Sequence, residues 1–461
     1  MLTSTKTPFI TAIKNTLNMS VPIMIARLSG AFSSVISMLM IAQLGHTELA
    51  ASALINSMIS VFMVTIWSML FSVGVLVGHH YGAKSDAEIG AVFRQSIILG
   101  TLVSLPIMLI LWNIAPILLL CKQDPKLIIL TQEFFRSYIF AIIPSMIYCS
   151  LYQVTLGISK QKITTIYNIA FLIAITVFGY IFLFGKLGLP ALGIRGMGYA
   201  NTCAFIFIDI IFFCHLFHFK EYRRYKLFCI DKTKRLNFQY LRQLVNIGWP
   251  VSAMIAVELG AFSVSTIFVG WLGESSLAAQ QITLQINLVA FMVPFGIAQA
   301  STILISQAIG RRDYSVIRNL GYAALLLGLI CTLFFTLLYW LLPKFLISFY
   351  LDVKAVTNQA TLAVSISLLA VTSLMNIFDG VRTIATCALR GLRDTLVPMF
   401  YSIVLSCCLS LPISYLLAFY WHFGVLGIRW GFVICFALSA LILIMRFHKM
   451  SGTKIAGYRE F

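Results

Sequence analysis

The stretch LAAQQITLQINLVAFMVPFGIAQASTILISQAIG, residues 277–310, contains no Lys, Arg, Asp or Glu and decides the fold of this chain. It is longer than the roughly 20 apolar residues that a helix needs to cross a bilayer. A helix satisfies its backbone hydrogen bonds internally, whereas an open sheet in hydrocarbon does not, and the alternation of a barrel strand is missing here. The stretch therefore predicts a membrane-spanning helix.

The rest of the chain repeats this pattern. Of its 461 residues, 60% are hydrophobic and only 10% are charged, which is too little charge to cover a water-soluble protein of this size. We therefore predict an all-α membrane protein with twelve transmembrane helices. The predicted spans are residues 17–42, 50–80, 94–118, 134–156, 164–184, 197–218, 244–269, 277–309, 318–341, 362–388, 397–420 and 426–447.

The basic residues lie mainly between these spans. Lys and Arg number 33 against 15 acidic residues, but they do not line one face of a soluble domain, so a nucleic-acid partner is not expected. With a cytoplasmic amino terminus, twenty-three of them fall inside and eight outside, which favours two cytoplasmic termini in a bacterial inner membrane. The eight outer residues are Lys122, Lys126, Arg136, Lys186, Arg195, Lys344, Lys354 and Arg429.

An internal repeat divides the chain into halves. A shift of 228 residues relates Pro22, Gly45, Leu49-Ala50-Ala51 and Gly82 to Pro250, Gly273, Leu277-Ala278-Ala279 and Gly310, and a shift of 234 relates Gly157 and Leu192-Gly193-Ile194-Arg195 to Gly391 and Leu426-Gly427-Ile428-Arg429. Each half holds six predicted helices, so the repeats run in the same direction. We predict an amino-terminal lobe (1–218), a basic cytoplasmic linker (219–242) and a carboxy-terminal lobe (243–461), with a central cleft between two six-helix bundles.

Several function classes lack their motifs in this sequence. No GxxxxGK[ST] phosphate loop, HExxH zinc helix or GxSxG elbow occurs, which argues against ATP-driven transport and against an enzyme. A selectivity-filter signature is also missing, which argues against an ion channel. The sequence thus predicts a transporter driven by an ion gradient, with no cofactor.

Three acids lie deep inside predicted spans, namely Asp209, Glu258 and Asp379. An aspartate at the centre of a membrane helix costs about 2.5 to 3.5 kcal/mol on insertion scales, so each is a candidate functional residue. Glu258 lies mid-helix in VSAMIAVELGAF and is the strongest single candidate.

Asp379 has Met375 and Arg382 one helical turn away on the same face. One interpretation is an Asp379–Arg382 ion pair that only satisfies two buried charges. The other brings Glu258 and Asp379 together as a site for a proton or a sodium ion, and both ions remain open because Arg382 stabilises ionised carboxylates.

Asp209, in CAFIFIDIIFFCHLF, has no acidic partner at depth in its own half. It is either a functional acid or the structural partner of Arg27 in the first span. Arg27 could also repel cationic substrates from one side of the cleft.

Long segments of the chain resemble the multidrug and toxic compound extrusion (MATE) transporters, in particular their NorM-like bacterial branch. The segments are LVNIGWPVSAMIAVELGAF, WLGESSLAAQQITLQINLVAFMVPFGIAQA, FDGVRTIATCALRGLRDTLVPM, LNMSVPIMIA, LGHTELAAS and HHYGAKSD. The resemblance covers essentially the whole chain. It implies a monomer in membrane lipid that exports small cationic or amphiphilic compounds in exchange for protons or sodium ions, by rocking two lobes around a cleft.

The resemblance also implies roles for individual residues. Glu258 and Asp379 fall on cation-coupling positions of the carboxy-terminal lobe, and Gln281 falls on a cleft-lining glutamine. Pro22 matches a first-helix proline at which the helix bends in some relatives. Met375 stands where a tyrosine is frequent, which slightly favours protons.

The amino-terminal lobe departs from the family pattern. Ser37 replaces a first-helix aspartate, and Asn168 keeps its family identity although Leu172 replaces the aspartate expected four residues later. Cation coupling is therefore expected in the carboxy-terminal lobe, with Asp209 either replacing the lost acid or pairing with Arg27.

A lipid or glycan-precursor flippase of the same superfamily is the alternative function. Such proteins also rock two bundles, but their clefts are typically richer in arginine. Only Arg27 and Arg382 are predicted at depth here, so the exporter is favoured.

Overall fold

The structure, a computed structural model, describes residues 9–120, 123–188, 190–227, 238–355 and 358–456. Within these ranges the protein is almost entirely helical, and twelve of its helices are long and apolar enough to cross a membrane, as predicted. They are α1 (Phe9–Ala42), α2 (His46–Met69 and Phe71–Gly82), α3 (Asp86–Trp112), α4 (Pro125–Gly157), α5 (Gln161–Phe184), α6 (Ile194–His218), α7 (Phe238–Gly270), α8 (Glu274–Gly310), α9 (Tyr314–Leu341), α10 (Gln359–Gly391), α11 (Leu396–Tyr420) and α12 (Gly424–Ala456).

Many of these helices extend beyond the predicted spans. For example, α4 begins at Pro125, whereas the apolar run was predicted from residue 134. The additional turns carry Glu133, whose charge had excluded them from the apolar run. Charged residues thus mark the end of the apolar stretch but not the end of the helix.

The backbone reproduces both registers of the sequence repeat. Lys84 and Arg312, at a shift of 228, have φ angles of 57° and 60°, and Ser159 and Arg393, at a shift of 234, have 59° and 62°. This left-handed region is uncommon for residues with a side chain, so its recurrence at matched positions is specific. The same turns therefore connect equivalent helices in the two halves.

Packing divides the protein into two compact units. One unit is Ile25–Ser252, and the other combines the chain up to Met24 with the chain from Ala253 onward. Ile25 and Ala253 are themselves 228 residues apart, so the boundaries fall at equivalent points of α1 and α7. The lobes predicted from the repeat, 1–218 and 243–461, are a division by sequence and remain a prediction; linker residues 228–237 lie outside the described residues.

Each unit contains close helix contacts at glycine. In the first, a Cβ at Gly198 of α6 would lie 1.9 Å from the Ser137 Oγ of α4. In the second, a Cβ at Gly380 of α10 would lie 2.7 Å from Thr332 Cγ2 on α9 and 3.4 Å from Pro294 Cβ on α8. Small residues allow such approaches between membrane helices. Gly380 therefore fixes α10 against α8 and α9 next to Asp379.

Candidate functional site

Three charged side chains meet inside the unit that contains Ala253–Phe461. Glu258 extends from α7, while Asp379 and Arg382 extend from α10, one turn apart. Arg382 donates from Nε to Asp379 Oδ1 at 3.1 Å and from Nη2 to the same oxygen at 2.7 Å. It also donates from Nη1 to Glu258 Oε1, and from Nη2 to Glu258 Oε2 at 3.4 Å. One guanidinium therefore bridges two acids on different helices.

Two further residues complete this cluster. Ser402 of α11 donates its hydroxyl to Glu258 Oε1 at 2.7 Å. The Phe436 ring of α12 lies under the guanidinium, with 4.6 Å between Arg382 Cζ and the ring centroid, which is a cation–π distance. Four helices of one unit thus contribute to the cluster.

The cluster is buried, but each of its charged side chains keeps a small exposed fraction. The exposed fractions of the side chains are 7% for Arg382, 11% for Asp379 and 17% for Glu258. Since arginine stays protonated in proteins, two ionised carboxylates beside it leave one net negative charge. The arrangement can hold a monovalent cation or a proton, and Glu258 is the more accessible acid.

Met375 lies one turn before Asp379 and is almost fully buried. Its sulfur is 3.9 Å from Nη1 of Arg429. Arg429, which is predicted in an outer segment, lies near the start of α12 and is only 3% exposed, and its side of the membrane stays a prediction. Its repeat partner Arg195 is exposed and forms a 2.6 Å ion pair with Glu133, so the repeat does not preserve burial.

Gln281 lies on α8 with its side chain exposed, outside the charged cluster. Its neighbour Gln280 is buried and donates to Thr266 Oγ1 on α7 at 3.0 Å. The structure therefore brings Gln280, not Gln281, into a contact between α7 and α8. Whether Gln281 lines a cleft stays a prediction.

The unit Ile25–Ser252 arranges its deep charges differently. The Arg27 guanidinium lies over the rings of Tyr152, at 5.4 Å, and Phe71, at 5.9 Å. Asp209 of α6 is 6% exposed, and its Oδ1 has no hydrogen-bond partner in the part of the chain that the structure describes. Within the described residues Asp209 forms no ion pair, so the predicted alternative of a pair with Arg27 is not what the structure contains.

The other predicted residues of this unit make local contacts. Asn168 donates from Nδ2 to the Thr164 carbonyl of its own helix at 2.9 Å. Ser37 is half-buried on α1. Pro22, which packs with the other unit, lies inside α1, and the helix continues past it without interruption. A bend at Pro22 therefore remains a prediction.

Sequence reasoning missed Ser402 and Phe436. Ser402 lies in the apolar segment YSIVLSCC, and Phe436 is one of 36 phenylalanines, so neither carried a signal of its own. Ser402 lies next to an irregular part of α11, which is π-helical from Val404 to Ser410. Such stretches are frequent at functional sites, but they are visible only in a structure.

The chain after α6 folds back on the first unit as a strap, defined here as Lys220–Leu227. Tyr225 is almost fully buried, and Arg94 of α3 donates from Nη1 to the Lys226 carbonyl at 2.9 Å. Lys160 and Glu221 form an exposed 2.7 Å ion pair, which raises the pKa of Lys160 and lowers the pKa of Glu221. The pair is therefore lost as the pH falls through the pKa of Glu221. The first part of the predicted linker is packed against the unit.

Within the described residues, twelve helices long and apolar enough to cross a membrane fall in two repeat-related halves, an architecture typical of integral membrane transporters. The family model described as MatE matches residues 22–181 and 250–416, and the chain belongs to this family.

Relatives match the chain over nearly its full length. The multidrug resistance protein NorM of Burkholderia vietnamiensis is 31% identical over 446 residues, covering 96% of both chains. The probable multidrug resistance protein NorM of Pseudomonas aeruginosa is 29% identical over 443 residues, covering 95% of this chain and 90% of the relative.

Solved structures share the fold. A eukaryotic MATE transporter, AtDTX14, has a TM-score of 0.86 at 18% identity, and the Vibrio cholerae MATE transporter VcmN in its bent form has 0.85 at 16% identity. Both comparisons cover 97% of this chain and 98% of the other. At these identities the likeness concerns the fold alone.

Proposed function

We propose that this protein is a multidrug efflux transporter that exports cationic amphiphilic compounds in exchange for protons or sodium ions. We further propose that it works as a monomer in the bacterial inner membrane, with both termini in the cytoplasm. The observation that carries the proposal is the pair of acids, Glu258 and Asp379, gathered from two helices around one arginine. The names of the full-length relatives support export of drugs.

The coupling step follows from the charge of this cluster. A proton or sodium ion that binds Glu258 or Asp379 removes its net negative charge, and a cationic substrate then loses its attraction to the same region. Each ligand favours the lobe arrangement that it binds better, so the two ligands compete and exchange across the membrane. Glu258, with the larger exposed fraction, is the acid that an incoming cation reaches first.

The proposal is tested with purified protein in liposomes and ethidium as the transported cation. A proton gradient and a sodium gradient are imposed separately, for wild type, Glu258→Gln and Glu274→Gln. Glu274 is an exposed glutamate in the first turn of α8 and serves as the matched control. We expect one gradient to drive uptake by wild type and by the control, and not by Glu258→Gln.

Two results would contradict the proposal. If neither gradient moves ethidium in wild type while a fluorescent phospholipid crosses the bilayer faster than in protein-free liposomes, the flippase alternative replaces the exporter. If Glu258→Gln, folded as judged by its elution as a single species, transports as well as the control, coupling does not involve this cluster.

A further inference from the structure

We infer that Arg382 is a tethered counter-ion that limits the Glu258–Asp379 site to a single exchangeable positive charge. This inference rests on the proposed function and assigns to Arg382 the stoichiometry of exchange. This role differs from that of an ion pair that only stabilises the fold. Transport would depend on the net charge of the cluster and not on any single contact of Arg382.

The hydrogen bonds place the arginine where a second free cation would otherwise bind. All three nitrogens of the guanidinium donate to Glu258 or Asp379, and Nη2 contacts both acids. The Phe436 ring covers a face of the guanidinium at 4.6 Å and keeps it in this position. A site that would otherwise carry two negative charges is thereby reduced to one.

The surrounding groups leave this charge count unchanged. Among the described residues, the ion pairs of Arg382 are those with Glu258 and Asp379. The neighbours on other elements are neutral, namely the Ser402 hydroxyl of α11 and the Phe436 ring of α12. Arg429 of α12 contacts the Met375 sulfur at 3.9 Å.

The net charge of the cluster has a measurable consequence for transport. A site with one net negative charge exchanges one monovalent cation for one ethidium ion, so no net charge crosses the membrane. Replacing Arg382 by glutamine leaves two negative charges, and the site then takes up to two cations per ethidium. Exchange by that variant moves net charge and responds to the membrane potential.

The first experiment measures this response in proteoliposomes. Ethidium uptake driven by the coupling gradient is compared with and without a potassium diffusion potential of about 100 mV, set by valinomycin. We expect a change of less than 1.5-fold for wild type and for Arg382→Lys, which keeps the positive charge, and at least threefold for Arg382→Gln. A potential-sensitive wild type, or an Arg382→Gln variant as insensitive as wild type, would overturn the inference.

The second experiment tests the count by rescue, and it does not depend on a well-folded Arg382→Gln variant. Glu258→Gln alone leaves a neutral cluster, whereas Glu258→Gln combined with Arg382→Gln restores one negative charge. We expect the double variant to recover at least threefold more gradient-driven uptake than Glu258→Gln. A purely structural role predicts that the double variant is no better than the single one, and that result would also overturn the inference.

A failure of the proposed function can be told apart from a failure of the role of Arg382. If wild type moves ethidium under neither gradient, the proposed function fails and the inference fails with it. If wild type transports but the rescue and the potential response are missing, only the role of Arg382 is wrong.

Discussion

Asp379 in one unit and Asp209 in the other are both buried aspartates inside spanning helices, yet their surroundings are opposite. Asp379 accepts two hydrogen bonds from Arg382 and shares that arginine with Glu258, whereas one oxygen of Asp209 has no hydrogen-bond partner among the described residues. The arginine of the amino-terminal part, Arg27, lies over aromatic rings instead. An unpaired charge at depth is far more costly than a paired one, so the two acids need not carry charge equally. Depth alone is thus not enough to assign a coupling residue.

The largest effect on transport is expected for Asp379→Asn. The change leaves Glu258 and Arg382 as a neutral pair, so the cluster no longer attracts a cation. Gradient-driven ethidium uptake should fall about 100-fold, corresponding to roughly 2.7 kcal/mol. Initial rates in proteoliposomes, normalised to the amount of folded protein, measure it, and a decrease of less than fivefold would contradict the assignment.

Arg382→Gln should produce the largest effect on stability. Removing one partner of a buried charge cluster typically costs about 3–5 kcal/mol, because the remaining charges are uncompensated. The cost should shrink as the pH falls from 8 to 5, since a proton on either acid relieves the repulsion between them. Thermal unfolding of the detergent-solubilised protein across this range tests the trend, with Arg382→Lys as the control that keeps the charge. A loss of stability that grows on acidification would be inconsistent with two facing carboxylates.

Ser402→Ala should change transport modestly. The substitution removes the hydrogen bond that Ser402 donates to Glu258. A hydrogen bond to a charged group contributes about 1.5–3 kcal/mol of stabilisation. Because Arg382 still binds the same oxygen, we expect a two- to fivefold change in the concentration of coupling ion that gives half-maximal uptake. Ser406→Ala, a buried serine on the same helix, is the matched control and should leave this concentration unchanged.

Asp209→Asn should have the smallest effect, and it tests the comparison between Asp209 and Asp379 directly. Asparagine has the same shape without the charge, and among the described residues Asp209 has no ion pair to lose. We expect ethidium uptake within about twofold of wild type and an unfolding temperature that is equal or slightly higher. A decrease of tenfold or more, at unchanged stability, would mean that Asp209 carries a coupling charge and that the two units share the task.

The sequence allowed the helices and the two principal acids to be predicted, because both follow from the rarity of charge in apolar runs. The contact between Arg382 and Asp379 was also foreseeable, since one helical turn separates them. The convergence of Glu258 with this pair depends on how α7 packs against α10, and the roles of Ser402 and Phe436 depend on α11 and α12. The burial of Arg429 could not be predicted from the repeat, because its partner Arg195 is exposed and pairs with Glu133.

The strap has a practical consequence for anyone who divides or tags this protein. Tyr225 fills the surface beside Gly90, where even a Cβ would lie 2.5 Å from the Tyr225 carbonyl oxygen. A reporter domain or protease site inserted between His218 and Leu227 would displace Tyr225 from this position and expose apolar surface. If the two halves are expressed as separate polypeptides, the chain should therefore be cut after Leu227, so that the first half keeps the strap packed against it.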